Sequence, residues 1–217
     1  MSRFNTVLFD LDGTLTDSSP GILNCVKHAL TLLGRDIPDE TVLKKFLGPP
    51  LKYAFTEFCG LDEATSEEAF RLFRQRYNEA GVTENSLYDG VYDMLERLHG
   101  AGLTLAVATT KVEFMAEKIV GHFGIRPFFT AVCGAAPDGS DGKKSDVIKK
   151  ALRLCGEDDL KSAVMVGDRF YDIEGAREVG IASIGALFGY GSRSELENAG
   201  ADFTAASPDE IVNIILK

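Results

Sequence analysis

The chain has 217 residues, of which 45% are hydrophobic and 26% charged, as is typical of a soluble globular protein with one large domain or a domain that carries a smaller one. The formal net charge of −10 disfavours nonspecific binding to nucleic acid. No apolar run approaches the roughly 20 residues of a membrane-spanning helix, and the first residues lack the pattern of a signal peptide.

The predicted elements begin with a short apolar strand over residues 6–11, which ends in acidic residues. Helical periodicity then extends from about residue 18 to about residue 85, and no strand pattern interrupts it. We expect helices near residues 22–33, 39–47, 51–59 and 65–80, with breaks at Gly48-Pro49-Pro50 and at Gly60. This segment therefore predicts an all-helical insertion after the first strand.

Strand and helix patterns alternate over the rest of the chain. The strand patterns cover residues 103–108, 128–133, 163–166 and 181–187, and the helical patterns cover residues 91–98, 113–120, 146–154 and 171–179. Ser145 is a plausible N-cap of the third of these helices. Such alternation predicts an α/β fold with a doubly wound parallel sheet. We expect the sheet domain in residues 1–15 and 86–217 and the helical domain in residues 16–85.

Two acidic residues, Asp10 and Asp12, end the first strand and are followed by Gly13. Carboxylates one residue apart repel each other unless a cation or a shared proton relieves them. A hard divalent ion meets this need, and Mg²⁺ commonly binds substrate phosphate as well. Gly13 lets the backbone approach a ligand closely. The alternative is a strand that merely ends in an acidic turn.

Polar residues also follow two later strands, and ligands of such sheets bind beyond the carboxyl ends of the strands. Asp168 follows the strand at 163–166 and could complete a metal site, and Asp172 lies four residues further on, in the first turn of the next helix. Either acid could instead cap that helix. Thr109 and Thr110 follow the strand at 103–108, where a hydroxyl and a backbone amide can hold a phosphate oxygen.

Lys143 and Lys144 lie just before a predicted helix, where an ammonium could neutralise a phosphate and a nucleophile, although surface lysines are abundant. Together, these residues predict phosphoryl transfer. A carboxylate attacks phosphorus, a neighbouring carboxyl protonates the leaving oxygen, and a metal and a lysine balance the charge. The acyl phosphate is then hydrolysed, with the second acid acting as base.

The sequence closely resembles the haloacid dehalogenase superfamily of phosphohydrolases over essentially its whole length. Four motifs occur in order, and they are Asp10-Leu11-Asp12-Gly13-Thr14-Leu15, Val107-Ala108-Thr109, Lys144, and Gly167-Asp168 with Asp172. The resemblance implies a Rossmann-like core with a helical cap domain inserted after the first motif. It further implies that Asp10 is the nucleophile and Asp12 the general acid and base. The side chains of Asp10 and Asp168 and the backbone carbonyl of Asp12 would bind Mg²⁺.

The resemblance also assigns roles to the remaining motif residues. Asp172 would orient a metal-bound water or Lys144, and Thr109 would hold the phosphoryl oxygens. Lys144 is preferred to Lys143 because it directly precedes the predicted helix. Ser145 replaces the proline that often follows this lysine in the family.

Within the superfamily, the chain resembles the phosphoglycolate phosphatase-like branch, whose close relatives are often labelled 5′-nucleotidases. The shared segments lie at residues 12–18, 46–51, 166–169 and 188–191. The expected function is Mg²⁺-dependent hydrolysis of a small-molecule phosphomonoester through an aspartyl phosphate. A 5′-nucleotidase, a pyrophosphatase and a sugar phosphomutase are the alternatives within the superfamily, although Thr14 favours hydrolysis over a mutase. The alternative from another class is a non-catalytic phosphate-responsive switch.

Recognition of the leaving group is expected in the helical insertion. Lys45, Pro49 and Lys52 form or flank the Gly48-Pro49-Pro50 turn and could meet a polar or anionic leaving group, or they could be solvated. The expected partner is a small phosphorylated molecule rather than nucleic acid or a membrane. The protein is expected to be a monomer or a dimer. The four cysteines form no CxxC pair, so we expect reduced thiols in a cytoplasmic protein.

Overall fold

The computed structural model describes residues 2–48, 51–136 and 142–217. The chain divides into two compact units, one formed by Met1–Asp17 with Leu87–Lys217 and the other by Ser18–Ser86. The first division therefore falls two residues after residue 15, and the second falls one residue after residue 85. Pro49 and Pro50, in the turn that was expected to contact the leaving group, lie outside the described residues.

The larger unit contains a parallel sheet of six strands within the described residues, in the order β5-β4-β1-β6-β7-β8. The strands of the structure are β1 (Thr6–Phe9), β2 (Thr16–Asp17), β3 (Ser86–Leu87), β4 (Thr104–Val112), β5 (Ala131–Ala135), β6 (Ala163–Gly167), β7 (Ala182–Ala186) and β8 (Phe203–Ala205). The chain leaves β1 to one side for β4 and β5 and then crosses to the other side for β6, β7 and β8. This order confirms the predicted α/β, Rossmann-like doubly wound sheet.

Helices pack against the sheet, and the hydrophobic core lies between the strands and these helices. The helices of this unit are α5 (Val91–Gly100), α6 (Glu113–His122), α7 (Lys144–Cys155), α8 (Phe170–Val179), α9 (Arg193–Ala199) and α10 (Pro208–Leu216). Leu8, Ala106 and Met165 on three adjacent strands form one buried cluster with Val147 and Ile148 of α7. Because these strands are covered on both faces, they read in the sequence as unbroken apolar runs. Each large side chain buried in this way contributes about 1.5–3 kcal/mol.

The smaller unit is helical in its described residues before Ser86. Its helices are α1 (Ser19–Leu32), α2 (Glu40–Lys44), α3 (Leu51–Cys59), α4 (Glu63–Arg76) and a π-helical turn over Tyr77–Gly81. Asp39 and Asp62 cap α2 and α4, since their side chains accept hydrogen bonds from backbone amides in the first turn. Throughout the described chain, no helix has both the length and the apolar character needed to cross a bilayer.

Some local predictions were wrong. Ser145 does not cap α7, because that helix already begins at Lys144 and Lys143 is its N-cap. The strand expected over residues 103–108 continues to Val112, with a register shift against β5 after Ala108. The extended segment expected from residue 128 begins only at Ala131, because Pro127 lies in a 3₁₀ turn.

Candidate active site

The motif residues of the larger unit lie at the carboxyl ends of three neighbouring strands. Asp10 follows β1, Thr109 lies in β4 and Asp168 follows β6, and β1 lies between β4 and β6. The backbone amide of Asp10 donates to the carbonyl of Val166 at 2.9 Å, so the pairing of β1 with β6 extends to this position. The connections from β1 lead to both sides of the sheet, which makes this edge a topological switch point where such folds bind ligands.

Lys144 joins the nucleophile candidate to a second acid. Its Nζ lies 2.8 Å from Asp10 Oδ1 and 2.7 Å from Asp172 Oδ1 and donates to the carbonyl of Ala108 at 2.9 Å. Only 5% of the Lys144 side chain is exposed. Burial disfavours its charge, but the two carboxylates outweigh this effect and raise the pKa of Lys144 above its usual value. The two carboxylates therefore favour the charged ammonium, which lies between Asp10 and Asp172.

Glycines make room for this arrangement in α8 and at the end of β6. A Cβ on Gly175 would lie 2.7 Å from Cγ of Lys144, and a Cβ on Gly167 would overlap the carboxyl group of Asp172. Asp172 also accepts a hydrogen bond from the backbone amide of Arg169 at 3.0 Å, so it caps α8 as well as binding Lys144. The same carboxylate thus caps the helix and contacts Lys144.

The carboxylates carry more negative charge than one ammonium can balance. Burial raises the pKa of Asp10 to about 6, although Lys144 acts in the opposite direction. Burial, together with the charges of Asp172 and Asp10, raises the pKa of Asp168 well above its ordinary value. One carboxylate oxygen from each of these three acids lies within 4.8 Å of the other two. A buried set of oxygen donors with unrelieved negative charge fits a hard divalent cation such as Mg²⁺.

The loop after β1 holds Asp168 from one side. Gly13 has a φ of 91°, which favours glycine, and a Cβ at this position would overlap the Asp168 carboxylate. The Thr14 hydroxyl donates to Asp168 Oδ1 at 3.0 Å. Gly13 therefore lets the backbone lie against a carboxylate of the protein, and its approach to a ligand stays a prediction.

A segment that the sequence analysis did not place in the site holds Asp168 from the other side. The backbone amide of Tyr190 donates to Asp168 Oδ2 at 2.8 Å, and the Tyr190 hydroxyl donates to Asp17 Oδ1 at 3.3 Å. A Cβ on Gly189 would overlap both Asp168 and the carbonyl of Gly13. Both oxygens of Asp168 are thus oriented by protein donors. The sequence marked residues 188–191 only as a segment shared with the phosphoglycolate phosphatase-like branch, and it gave no sign of the contact with Asp168.

The end of β4 supplies donors for a phosphate and a second lysine. The buried Thr109 hydroxyl accepts a hydrogen bond from the backbone amide of Lys111 at 3.2 Å, so its own hydrogen can still be donated to a phosphoryl oxygen. Thr110 is exposed. Lys111 Nζ lies 2.7 Å from Asp12 Oδ2. Lys111 was not predicted as a site residue, although its spacing from Thr109 is that of two strand residues on one face.

The other candidate lysines contact residues other than the acids of the candidate site. Lys143 is exposed and forms a 2.8 Å ion pair with Glu178. In the smaller unit, Lys45 is exposed, with its Nζ 5.9 Å from the centre of the Phe58 ring. Lys52 forms an exposed ion pair with Glu67. The structure therefore distinguishes Lys144 from Lys143 by burial and by contact with two acids.

Comparison with known proteins gives one consistent family. The model of the haloacid dehalogenase-like hydrolases matches residues 7–186. A 5′-nucleotidase of Pseudomonas aeruginosa is 42% identical over 194 residues, which cover 89% of this chain and 87% of the relative. A phosphoglycolate phosphatase of Vibrio parahaemolyticus is 30% identical over 220 residues, covering 96% of this chain and 95% of the relative.

Two further similarities concern a kinase and a solved structure. The tyrosine-protein kinase PtkA of Mycobacterium tuberculosis is 40% identical over 207 residues, which cover 94% of this chain and 70% of the kinase. The crystal structure of a predicted phosphatase from Clostridium acetobutylicum superimposes with a TM-score of 0.87 at 40% identity, and 97% of each chain is covered. The fold is thus shared with a predicted phosphatase, and the sequence is similar to proteins named a 5′-nucleotidase, a phosphoglycolate phosphatase and a tyrosine-protein kinase.

Proposed function

Because this chain belongs to the haloacid dehalogenase-like hydrolase family as a phosphoric monoester hydrolase, we propose that it hydrolyses a small-molecule phosphomonoester through a phosphorylated Asp10 with the help of Mg²⁺. The observation that carries the proposal is the buried contact of Lys144 with Asp10 and Asp172 beside Asp168. Folding alone does not require three carboxylates to cluster at a ligand-binding edge of the sheet, with two of them on one buried lysine.

In the first half of the reaction, Asp10 Oδ2 attacks phosphorus while Lys144 holds Oδ1. The bond from phosphorus to the ester oxygen breaks, and Asp12 gives a proton to that oxygen. Thr109 donates a hydrogen bond to a phosphoryl oxygen, and Lys144 offsets the negative charge that gathers on the transferring group. The alcohol leaves, and the phosphoryl group remains bonded to Asp10.

In the second half, Asp12 takes a proton from a water molecule whose oxygen attacks phosphorus. The bond between Asp10 and phosphorus breaks, so inorganic phosphate leaves and the Asp10 carboxylate is restored. The side chains of Asp10 and Asp168 and the backbone carbonyl of Asp12 would hold Mg²⁺, which supplies positive charge to the phosphoryl oxygens when bound. Asp172 keeps Lys144 in place through both halves.

The identity of the leaving group is a separate part of the proposal. Phosphoglycolate phosphatase-like hydrolysis is the first candidate, and the relative named 5′-nucleotidase supports nucleoside monophosphates as the second. We further propose that the unit Ser18–Ser86 acts as a cap that supplies leaving-group recognition, with Lys45, Pro49 and Lys52 as the candidate residues.

Phosphate release tests the proposal directly. The purified protein is incubated with phosphoglycolate, nucleoside monophosphates, sugar phosphates, pyrophosphate and p-nitrophenyl phosphate, with Mg²⁺ or with EDTA. We expect release that EDTA abolishes and added Mg²⁺ restores, with Ca²⁺ a poor substitute. The Asp10→Asn variant should lose several orders of magnitude in turnover while remaining folded.

Two results would contradict the mechanism. One is covalent phosphate trapped on a residue other than Asp10, and the other is full activity after verified removal of metal. A phosphotransferase such as the relative named a tyrosine-protein kinase would instead transfer labelled phosphate from ATP to tyrosine. We expect no such transfer by this chain.

A further inference from the structure

The mechanism above gives no task to Lys111, although this side chain lies inside the site. Its Nζ contacts Asp12 Oδ2 at 2.7 Å, and only 11% of the Lys111 side chain is exposed, against 22% for Asp12. The other oxygen of Asp12, Oδ1, is buried and has no hydrogen-bond partner among the described residues. A lysine that only screened an exposed acid would not need to be withdrawn from solvent to this extent.

The two lysines of the site serve opposite ends of the reacting bond. Lys144 binds Asp10, which attacks phosphorus, whereas Lys111 binds Asp12, which protonates the leaving oxygen. The leaving oxygen must come within about 2.6–3.2 Å of the Asp12 carboxyl for the proton to pass. Whatever is attached to that oxygen therefore lies beside Asp12, within reach of the flexible Lys111 side chain.

The end of β4 fixes Lys111 relative to the phosphoryl group. The backbone amide of Lys111 donates to the Thr109 hydroxyl at 3.2 Å, and this hydroxyl is the proposed donor to a phosphoryl oxygen. Between Ala108 and Val112 the register of β4 shifts against β5, so this short stretch departs from regular strand pairing. One stretch of backbone thus carries a donor for the phosphate and a cation for the group next to it.

We propose that Lys111 selects substrates whose leaving group carries an anion, a carboxylate or a phosphate, close to the bridging oxygen. On binding, the ammonium exchanges its contact with Asp12 for a contact with that anion. A nucleoside 5′-monophosphate has a neutral ribose carbon at this place and offers Lys111 no such partner. This inference rests on the proposed function and names its substrate class.

Matched substrates separate this role from an effect on Asp12. The pair is 2-phosphoglycolate and 2-hydroxyethyl phosphate, which are similar in size and differ in the carboxylate. The variants are Lys111→Met, which removes the charge, and Lys111→Arg, which keeps it. Lys118→Met, at an exposed position in α6, is the control for loss of one positive charge. The quantities measured are kcat and KM for each substrate, with thermal unfolding to show that each variant is folded.

We expect the wild type to prefer 2-phosphoglycolate by roughly 10- to 100-fold in kcat/KM, the range for a hydrogen bond to a charged group. In Lys111→Met this preference should fall to nearly one, chiefly because the KM for 2-phosphoglycolate rises. Any loss transmitted through Asp12 lowers both substrates by the same factor and cancels in the ratio. Lys111→Arg and Lys118→Met should keep the preference. Pyrophosphate provides a third arm, and a Lys111-dependent preference for it would identify the anion as a phosphate.

The inference is overturned if the wild type shows no preference for either anionic substrate. It is equally overturned if Lys111→Met lowers kcat by one common factor for 2-phosphoglycolate and for 2-hydroxyethyl phosphate. Lys111 would then act only on Asp12. Hydrolysis of p-nitrophenyl phosphate distinguishes these outcomes from failure of the proposed function. A wild type that hydrolyses this compound with Mg²⁺ is a phosphatase whatever Lys111 does.

Discussion

Lys144 and Lys143 are neighbours in the chain and carry the same charge, yet their surroundings differ completely. Lys144 is buried between Asp10 and Asp172, whereas Lys143 is exposed and paired with Glu178. A buried charge that loses its partner is strongly destabilising, while an exposed ion pair is worth about 0–1 kcal/mol. The two positions therefore provide a matched comparison within one short segment.

We expect Lys144→Ala to reduce turnover by a factor of roughly 100 or more, because it removes the cation that faces the reacting phosphoryl group. Lys143→Ala should stay close to the wild type. Phosphate release under saturating Mg²⁺ measures both variants, and circular dichroism checks that they are folded. The opposite ranking would show that the lysine has been assigned to the wrong position, and two unaffected variants would show that neither lysine acts in the site.

Asp10 also has a predictable effect on stability without metal. Its folded-state pKa of about 6 lies above the ordinary 3.8, so the folded protein holds this proton more tightly than the unfolded chain does. The stabilisation from this group is complete below about pH 4 and is lost as the pH rises through about 6. At neutral pH the buried, ionised Asp10 therefore lowers the free energy of unfolding, whereas a neutral Asn at the same position does not.

In EDTA at pH 7.5, we expect the melting temperature of Asp10→Asn to lie several degrees above that of the wild type. The free energies of unfolding of the two proteins should differ by about 3 kcal/mol at most. Near pH 4 the two melting temperatures should converge. Saturating Mg²⁺ should stabilise the wild type more than the variant at pH 7.5. A difference that stayed constant from pH 4 to pH 7.5 in EDTA would refute the assigned shift of the Asp10 pKa.

The acids of the site were predictable from the sequence for a simple physical reason. Asp10 and Asp168 directly follow apolar strands, and parallel strands end at a common edge. The residues that contact these acids were harder to predict from the sequence. Lys111 and Tyr190 reach Asp12 and Asp168 only through the tertiary fold, and their local sequence resembles that of any polar strand end or glycine-containing loop. Local patterns report burial and periodicity and carry little information on pairs so distant in sequence.

At the level of elements, the segment between β7 and α9 holds Asp168, a proposed metal ligand. The Tyr190 amide holds Asp168 Oδ2, and Gly189 allows the backbone to lie against Asp168 and Gly13. A side chain at residue 189 must displace one of these groups. Such supports commonly change metal affinity by about 10- to 100-fold when they are altered.

We therefore expect Gly189→Ala to weaken Mg²⁺ binding by roughly 10-fold or more. Calorimetric titration with Mg²⁺ measures this without reference to activity. Gly121→Ala is the matched control, because a Cβ on Gly121 would have no atom within 4 Å. An unchanged Mg²⁺ affinity in Gly189→Ala would mean that the segment does not position Asp168.

The elements themselves were predicted unevenly. The buried strands and the helices α1, α3 and α4 have strong periodicity and were placed within a few residues. The sequence analysis gave no elements after residue 187, where α9, β8 and α10 follow. Strand β8 has three residues and α9 has seven, so each is too short for a periodic pattern to stand out. The predicted strand ended at residue 108, before the end of β4 at Val112, because the apolar run gives way there to Thr109, Thr110 and Lys111.

At the scale of the whole molecule, the unit Ser18–Ser86 is proposed to add leaving-group recognition to that proposed for Lys111 in the larger unit. If the unit Ser18–Ser86 supplies leaving-group recognition, Lys45→Ala and Lys52→Ala should change the ranking of natural substrates more than they change hydrolysis of p-nitrophenyl phosphate. The exposed Lys161 in the larger unit provides a control substitution to Ala. A kcat/KM panel over phosphometabolites measures the ranking. Unchanged values for every substrate would exclude these two lysines from recognition.

The central position of β1 in the sheet has a consequence for folding during translation. Val7, Leu8 and Phe9 are made before both of their neighbouring strands, because β4 and β6 end at residues 112 and 167. At a synthesis rate of about 5–20 residues per second, the second neighbour follows on the order of ten seconds later. Ser18–Ser86 is complete well before then and can settle first. Strand β1, which ends just before the proposed nucleophile Asp10, thus lacks a neighbouring strand until β6 has been made, and its apolar side chains are unshielded over that time.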